Sequence, residues 1–201
     1  MPSAFTHALV GAAAAQFLPK DYPRWRAAAV FALASALPDL DVAAFVLRIP
    51  YEHPFGHRGF AHSLLFALLL GAAAALLVVY TTGIRSNEKR RICWKPLLLV
   101  GFLVVATHGL LDAATNAGEG IGFFVPFHND RYFFPYRPIL TASVDPRDFF
   151  TRDGFRIFSS EIVWIWVPVV ALSLLYQASR WIMRRPHVTP VDTRVEEPTG
   201  D

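Results

Sequence analysis

A chain of 201 residues that is 54% hydrophobic and only 17% charged carries less charge than soluble domains do, and its length suits one domain. That composition predicts an all-α integral membrane protein: a bundle of about four to five helices, with a short N-terminal helix and a proline-broken second helix. The net charge of +3 is modest, no direct nucleic acid binding is expected, one cysteine (Cys93) excludes an intrachain disulfide, and no Gly-x-Ser-x-Gly elbow, P-loop or dinucleotide fingerprint is present.

Residues 4–18 read as a helix too short to span at full depth, followed by Lys20, Arg24 and Arg26. No basic residue precedes the run, so it is read as retained rather than as a cleaved signal. Residues 27–47 form a span that Pro38 kinks or breaks. Residues 48–61 are a loop with Pro50, Pro54, Gly56 and Gly59, and 62–82 are a Leu- and Ala-rich span. A basic loop holds Arg85, Lys89, Arg90, Arg91, Cys93 and Lys95, and 96–114 span again. Residues 118–160 are aromatic and rich in Gly and Pro, which reads as a long irregular loop. The last span is 161–183, with Trp164, Trp166 and Trp181 as interface anchors. Residues 1–185 make a single membrane domain, and 186–201 read as a disordered polar tail.

The basic clusters set an orientation. Alternating spans put Lys20/Arg24/Arg26, the 85–95 loop and Arg180/Arg184/Arg185 on the cytoplasmic side, leaving loops 48–61 and 118–160 on the other. His7, Asp39 and His108 each lie 13 residues from Lys20, Arg26 and Lys95 respectively. At about 1.5 Å per residue, each sits roughly 20 Å above the cytoplasmic surface. Asp112 is one turn higher, and His62 opens its span on the same side. These side chains share one layer near the non-cytoplasmic face.

Ionisable groups at membrane depth are costly, and they persist where they face protein and find partners. His108 and Asp112 are four apart and share a helix face. Asp39 and Asp41 diverge on a regular helix, but an unwinding at Pro38 would let both reach one site; Asp41 could instead cap a following turn. Gly56 and Gly59 permit a tight turn that places His57 in the loop and His62 at the start of its span. The metal-ligand candidates are His7, Asp39, Asp41, His57, His62, His108 and Asp112. Glu52, His53, His128 and His187 are weaker. Arg58 could pair with a carboxylate or bind an anionic substrate, and Glu161 could orient a ligand, take a proton or complement a helix dipole. Mixed nitrogen and oxygen donors in this number suit one or two divalent ions, zinc foremost, with manganese or iron as alternatives.

Taken together, four stretches resemble the membrane-bound metal-dependent hydrolase family, the LexA-binding, inner-membrane-associated type. They are Thr6-His7, Leu37-Pro38-Asp39-Leu40-Asp41, Gly56-His57-Arg58-Gly59-Phe60-Ala61-His62-Ser63, and His108 to Asp112 with Thr115 and Gly118. Pro126-Phe127, Arg131 to Pro135 and Glu161-Ile162-Val163-Trp164 with Pro168 share the likeness, which covers residues 4–170. The resemblance implies a prokaryotic inner-membrane protein with metal-dependent hydrolase activity. Hydrolysis of an ester or phosphoester, of a small-molecule or lipid-like substrate, is the leading expectation, because the ligand layer lies near headgroup depth. A metal-binding membrane protein that recruits or regulates a partner is the alternative. An ion transporter is a third, weakened by the lack of paired broken helices.

Overall fold

The computed structural model describes residues 1–20, 22–82, 94–142 and 146–183. Arg85, Lys89, Arg90, Arg91, Cys93, Arg184, Arg185, His187 and the rest of the 186–201 tail lie outside the described residues. Among the described residues the chain is helical, with α1 (Ala4–Ala14), α2 (Arg24–Ala36), α3 (Ala43–Val46), α4 (Leu64–Thr82), α5 (Trp94–Ala113), α6 (Arg152–Glu161) and α7 (Val167–Ile182). Two isolated bridges, Thr115 with Ile139 and Ile121 with Tyr132, pin the long loop. Four stretches are long and apolar enough to cross a membrane: Arg24–Val46, Leu64–Thr81, Trp94–Ala113 and Arg152–Ile182.

Pro38 acts as expected from its missing N–H. The α-helical ladder stops at Ala36 and the chain winds on as a 3-10 helix, Leu37–Val42, before α3. On an α-helix, residues two apart point about 160° from each other. On a 3-10 helix the angle falls to about 120°. The tighter winding therefore brings Asp39 and Asp41 toward one side of the segment while keeping them on different neighbours.

The last helix departs from the sequence reading. Helix runs from Arg152 to Ile182, 31 residues, so it begins inside what the sequence presents as irregular loop. Its start is polar (Arg152, Asp153, Arg156), which hides it from a search for apolar runs, and the Thr151 hydroxyl caps it by accepting from Gly154 N–H at 3.2 Å. Glu161 consequently lies inside a continuous helix rather than at its top. Directly after it, Ile162–Trp166 form a π-helical turn in which Val167 N–H reaches back to the Ile162 carbonyl. Pro168 cannot donate to the ladder here, which accounts for the irregular winding.

Small residues set the helix spacing. Gly71 of α4 and Gly101 of α5 meet backbone to backbone, and a Cβ on Gly71 would sit 2.6 Å from the Gly101 carbonyl carbon and from Phe102 N. Phe31, Ala67, Ala75, Val78, Leu97 and Val104 fill the space between α2, α4 and α5. The outward faces are apolar and bare. Leu68, Leu69, Leu76 and Leu77 of α4 are exposed, as are Leu172, Leu174 and Leu175 of α7, which buries no residue of its own. Such faces suit lipid rather than water.

Candidate metal centre

α5 is unbroken where it carries His108 and Asp112, so both project from one face, and both are fully buried. His108 is fixed from α2. Its Nδ1 lies 2.6 Å from the Ser35 carbonyl, which can only accept, so Nδ1 carries the proton and Nε2 presents a lone pair. In 3-10 register the N–H that would meet the Ser35 carbonyl belongs to residue 38, and proline has none.

Three close contacts surround the His108 lone pair. His108 Nε2 is 3.0 Å from His62 Nε2 and 3.3 Å from Asp39 Oδ1, and His62 Nε2 is 3.2 Å from Asp112 Oδ2. One donor atom from each of Asp39, His62, His108 and Asp112 lies within 4.8 Å of every other, and all four residues are buried. All four oxygens of Asp39 and Asp112 lack a hydrogen-bond partner. Arg58, 3.5 Å from Asp112 Oδ2, brings one positive charge to these two buried carboxylates, and a further cation would compensate the rest. The separations suit one: donors bonded at about 2.0–2.1 Å to a tetrahedral ion stand about 3.3 Å apart. The residues therefore fit a divalent metal.

Around these four the other sequence candidates take distinct places. Asp41 faces outward from the cluster. Its oxygens accept from His57 Nδ1 at 2.6 Å and from the Arg58 backbone N–H at 2.9 Å, and one lies 3.0 Å from His62 Nδ1. A carboxylate behind a ligating imidazole fixes its tautomer and raises its basicity. His57 bonds Asp41 and meets the four-residue group edge-on at the His62 ring, with centroids 5.9 Å apart. His7 stacks on His108, with ring centroids 3.8 Å apart, and its Nε2 is 3.4 Å from Asp112 Oδ1.

Arg58 is turned inward. Its backbone is left-handed (φ 61), and its guanidinium is buried against Thr115 Oγ1 (3.3 Å) and the Ala117 carbonyl (2.9 Å), with Nε 3.5 Å from Asp112 Oδ2. Gly118, at φ 98, makes room: a Cβ there would collide with the guanidinium. Arg131 ties down the same loop by donating to the carbonyls of His57 (3.0 Å) and Tyr51 (2.6 Å). Burial raises the Tyr51 phenol above its ordinary pKa.

Glu161 is fully buried and does not touch the four ligands. It accepts from Ser3 N–H and Ser3 Oγ–H, both at 2.6 Å, and from Thr6 Oγ–H, while Trp166 Nε1–H donates to Thr6 Oγ1 at 2.8 Å. It thus anchors the first turn of α1, the turn that carries His7. Glu52, His53 and His128 lie away from the cluster; Glu52 meets Asn129 through its carbonyl, and His53 Nδ1 accepts from the Phe55 backbone N–H at 3.1 Å. Sequence reasoning missed Ser35, whose contribution is a backbone carbonyl with no side-chain signature. Its i, i+4 spacing to Asp39 was the available hint.

The chain belongs to the YdjM inner membrane protein family, whose model matches residues 1–186. It is 34% identical over 188 residues to inner membrane protein YbcI of Escherichia coli (strain K12), covering 92% of this chain and all of that relative. No solved structure matches it. With four candidate spans, it is a multi-pass inner membrane protein. The membrane side of the resemblance stands; neither match carries a hydrolase activity or a link to LexA.

Proposed function

We propose that this inner membrane protein hydrolyses an ester or phosphoester with a divalent ion held by Asp39, His62, His108 and Asp112, zinc before manganese or iron. The observation that supports the reading is the set of unpartnered buried carboxylate oxygens facing two imidazole nitrogens that stand 3.0 Å apart. Such an ion, when bound, lowers the pKa of coordinated water to near 7 and so makes hydroxide available at neutral pH. The protein's own groups supply orientation. Asp41 aligns His62, the Ser35 carbonyl aligns His108, and Arg58 holds Asp112. Glu161 has both oxygens engaged by protein, and Arg58 spends its two terminal nitrogens on Ala117 and Thr115 while Nε faces Asp112, so we assign them positioning roles rather than contact with substrate.

A lipid-like substrate is favoured by a cavity of about 480 Å³ between α1, α5 and α7. Its lining is mostly apolar (Val10, Phe17, Leu99, Leu103, Val104, Leu172), and it includes Thr107, the sequence neighbour of His108. We place the centre near the non-cytoplasmic face, at headgroup depth, with membrane lipid and a small-molecule or lipid substrate as partners and no nucleic acid.

A second reading, a non-catalytic metal protein that recruits or regulates a partner, draws on the burial of every ligand: none is more than 7% exposed. Elemental analysis of detergent-purified protein, followed by assays on ester, phosphoester and phospholipid substrates with and without chelator, separates the two. Chelator-sensitive hydrolysis is expected. Stoichiometric metal with no hydrolysis of any class favours the second reading, and protein that stays metal-free after metal-replete growth removes both.

A further inference from the structure

We infer that a second divalent cation binds beside the first, held by His7, with Asp112 as the carboxylate that bridges the two. The inference rests on the metal reading above and extends it by one site. His7 is fully buried, and neither of its ring nitrogens has a hydrogen-bond partner. A buried imidazole left unpaired on both sides is uncommon, since buried polar groups are hydrogen-bonded or ligate metals. Its Nε2 faces Asp112 Oδ1 at 3.4 Å, whereas His62 faces the other oxygen, Oδ2, at 3.2 Å. The two oxygens of one carboxylate thus address different imidazoles on either side.

Ring stacking gives an independent argument. His7 and His108 lie nearly parallel, 22° between planes and 3.8 Å between centroids. The lone pair of an imidazole nitrogen lies in the ring plane. Lone pairs in two near-parallel planes do not converge on one ion, so the two imidazoles serve neighbouring positions, as the ligands of two-ion hydrolytic centres do. His7 accordingly falls outside the four-residue group that surrounds the first position. Asp39 supplies a further donor. It has two unpartnered oxygens, of which the first ion needs one. Glu161, Ser3, Thr6 and Trp166 fix the turn that presents His7, so its position is built rather than incidental.

The test is metal counting on full-length protein in detergent, with manganese loading followed by electron paramagnetic resonance. Wild type is expected to hold two ions per chain and to show the spectrum of a coupled manganese pair. His7→Ala is expected to hold one ion with an isolated-manganese spectrum. One ion per wild-type chain overturns the inference and leaves the first site standing. Two ions retained in His7→Ala also overturns it, and a metal-free wild type overturns both readings. If His7→Ala does not fold, the wild-type count and spectrum decide alone.

Discussion

Replacing Asp41 by asparagine separates a ligand from a residue that orients one. The carboxylate receives His57 Nδ1 at 2.6 Å and Arg58 N–H at 2.9 Å, and stands 3.0 Å from His62 Nδ1. An asparagine can fit one way round. Its oxygen takes the place of Oδ2, where it still meets Arg58 N–H and His62. Its amide nitrogen then faces His57, which can answer by moving its proton to the other nitrogen. Geometry survives and the charge is lost. Charge-assisted hydrogen bonds are about twice as strong as neutral ones, so the loss is roughly 1.5 kcal/mol, or about tenfold in metal affinity. This is the lower end of the 10- to 100-fold typical of groups that orient a ligand. Asp41→Ala strands the Arg58 N–H and frees both imidazoles, and should cost about 100-fold or more. Competition against a chromophoric chelator reads the affinity, and elemental analysis reads the stoichiometry. Asn that binds as tightly as wild type refutes the orienting role. Asn that loses an ion outright, as a deleted ligand would, refutes it from the other side and makes Asp41 a ligand.

His108→Ala is expected to lose the metal while remaining in the membrane, because insertion is driven by the apolar spans; membrane fractionation beside elemental analysis checks both halves. Gly71→Ala forces α4 and α5 apart where a Cβ meets Gly101 backbone at 2.6 Å, and should destabilise by about 1–3 kcal/mol, read as a lower thermal midpoint in detergent; Ala73→Leu, on the exposed face, should leave it unchanged. Glu161→Gln keeps an acceptor for Ser3 N–H and should cost about 1 kcal/mol of stability, whereas Glu161→Ala strands that N–H and opens a cavity, so the midpoint should fall markedly further. Cys93 should react with an impermeant thiol reagent in inverted vesicles and not in intact cells, since it lies between Arg91 and Lys95; the reverse pattern would invert the topology.

Depth was legible in the sequence and direction was not, and the geometry of a helix explains the difference. Each residue adds about 1.5 Å along the axis, so distance from a basic flank carries through a span with little error. That is why His7, Asp39 and His108 could be placed in one layer by counting from Lys20, Arg26 and Lys95, and the structure holds His108 3.3 Å from Asp39 and stacked on His7. Rotation about the axis behaves otherwise. Each residue adds about 100°, and any change of winding resets the sum. His108 and Asp112 lie on an unbroken helix, and their shared face follows from spacing. Asp41 lies beyond the α to 3-10 change at Leu37, so its side of the cluster depended on how far Pro38 unwound the chain. Arg58 points inward because its own φ is positive and because Gly118, sixty residues on, leaves space for its guanidinium. Glu161 follows a helix start too polar to recognise and precedes a π turn, so neither its height nor its partners could be counted. Those partners, Ser3 and Thr6, stand at the other end of the chain and present His7. Candidate ligands on an unbroken helix are thus readable from spacing, while the residues placed behind them depend on breaks in winding and on contacts across the bundle.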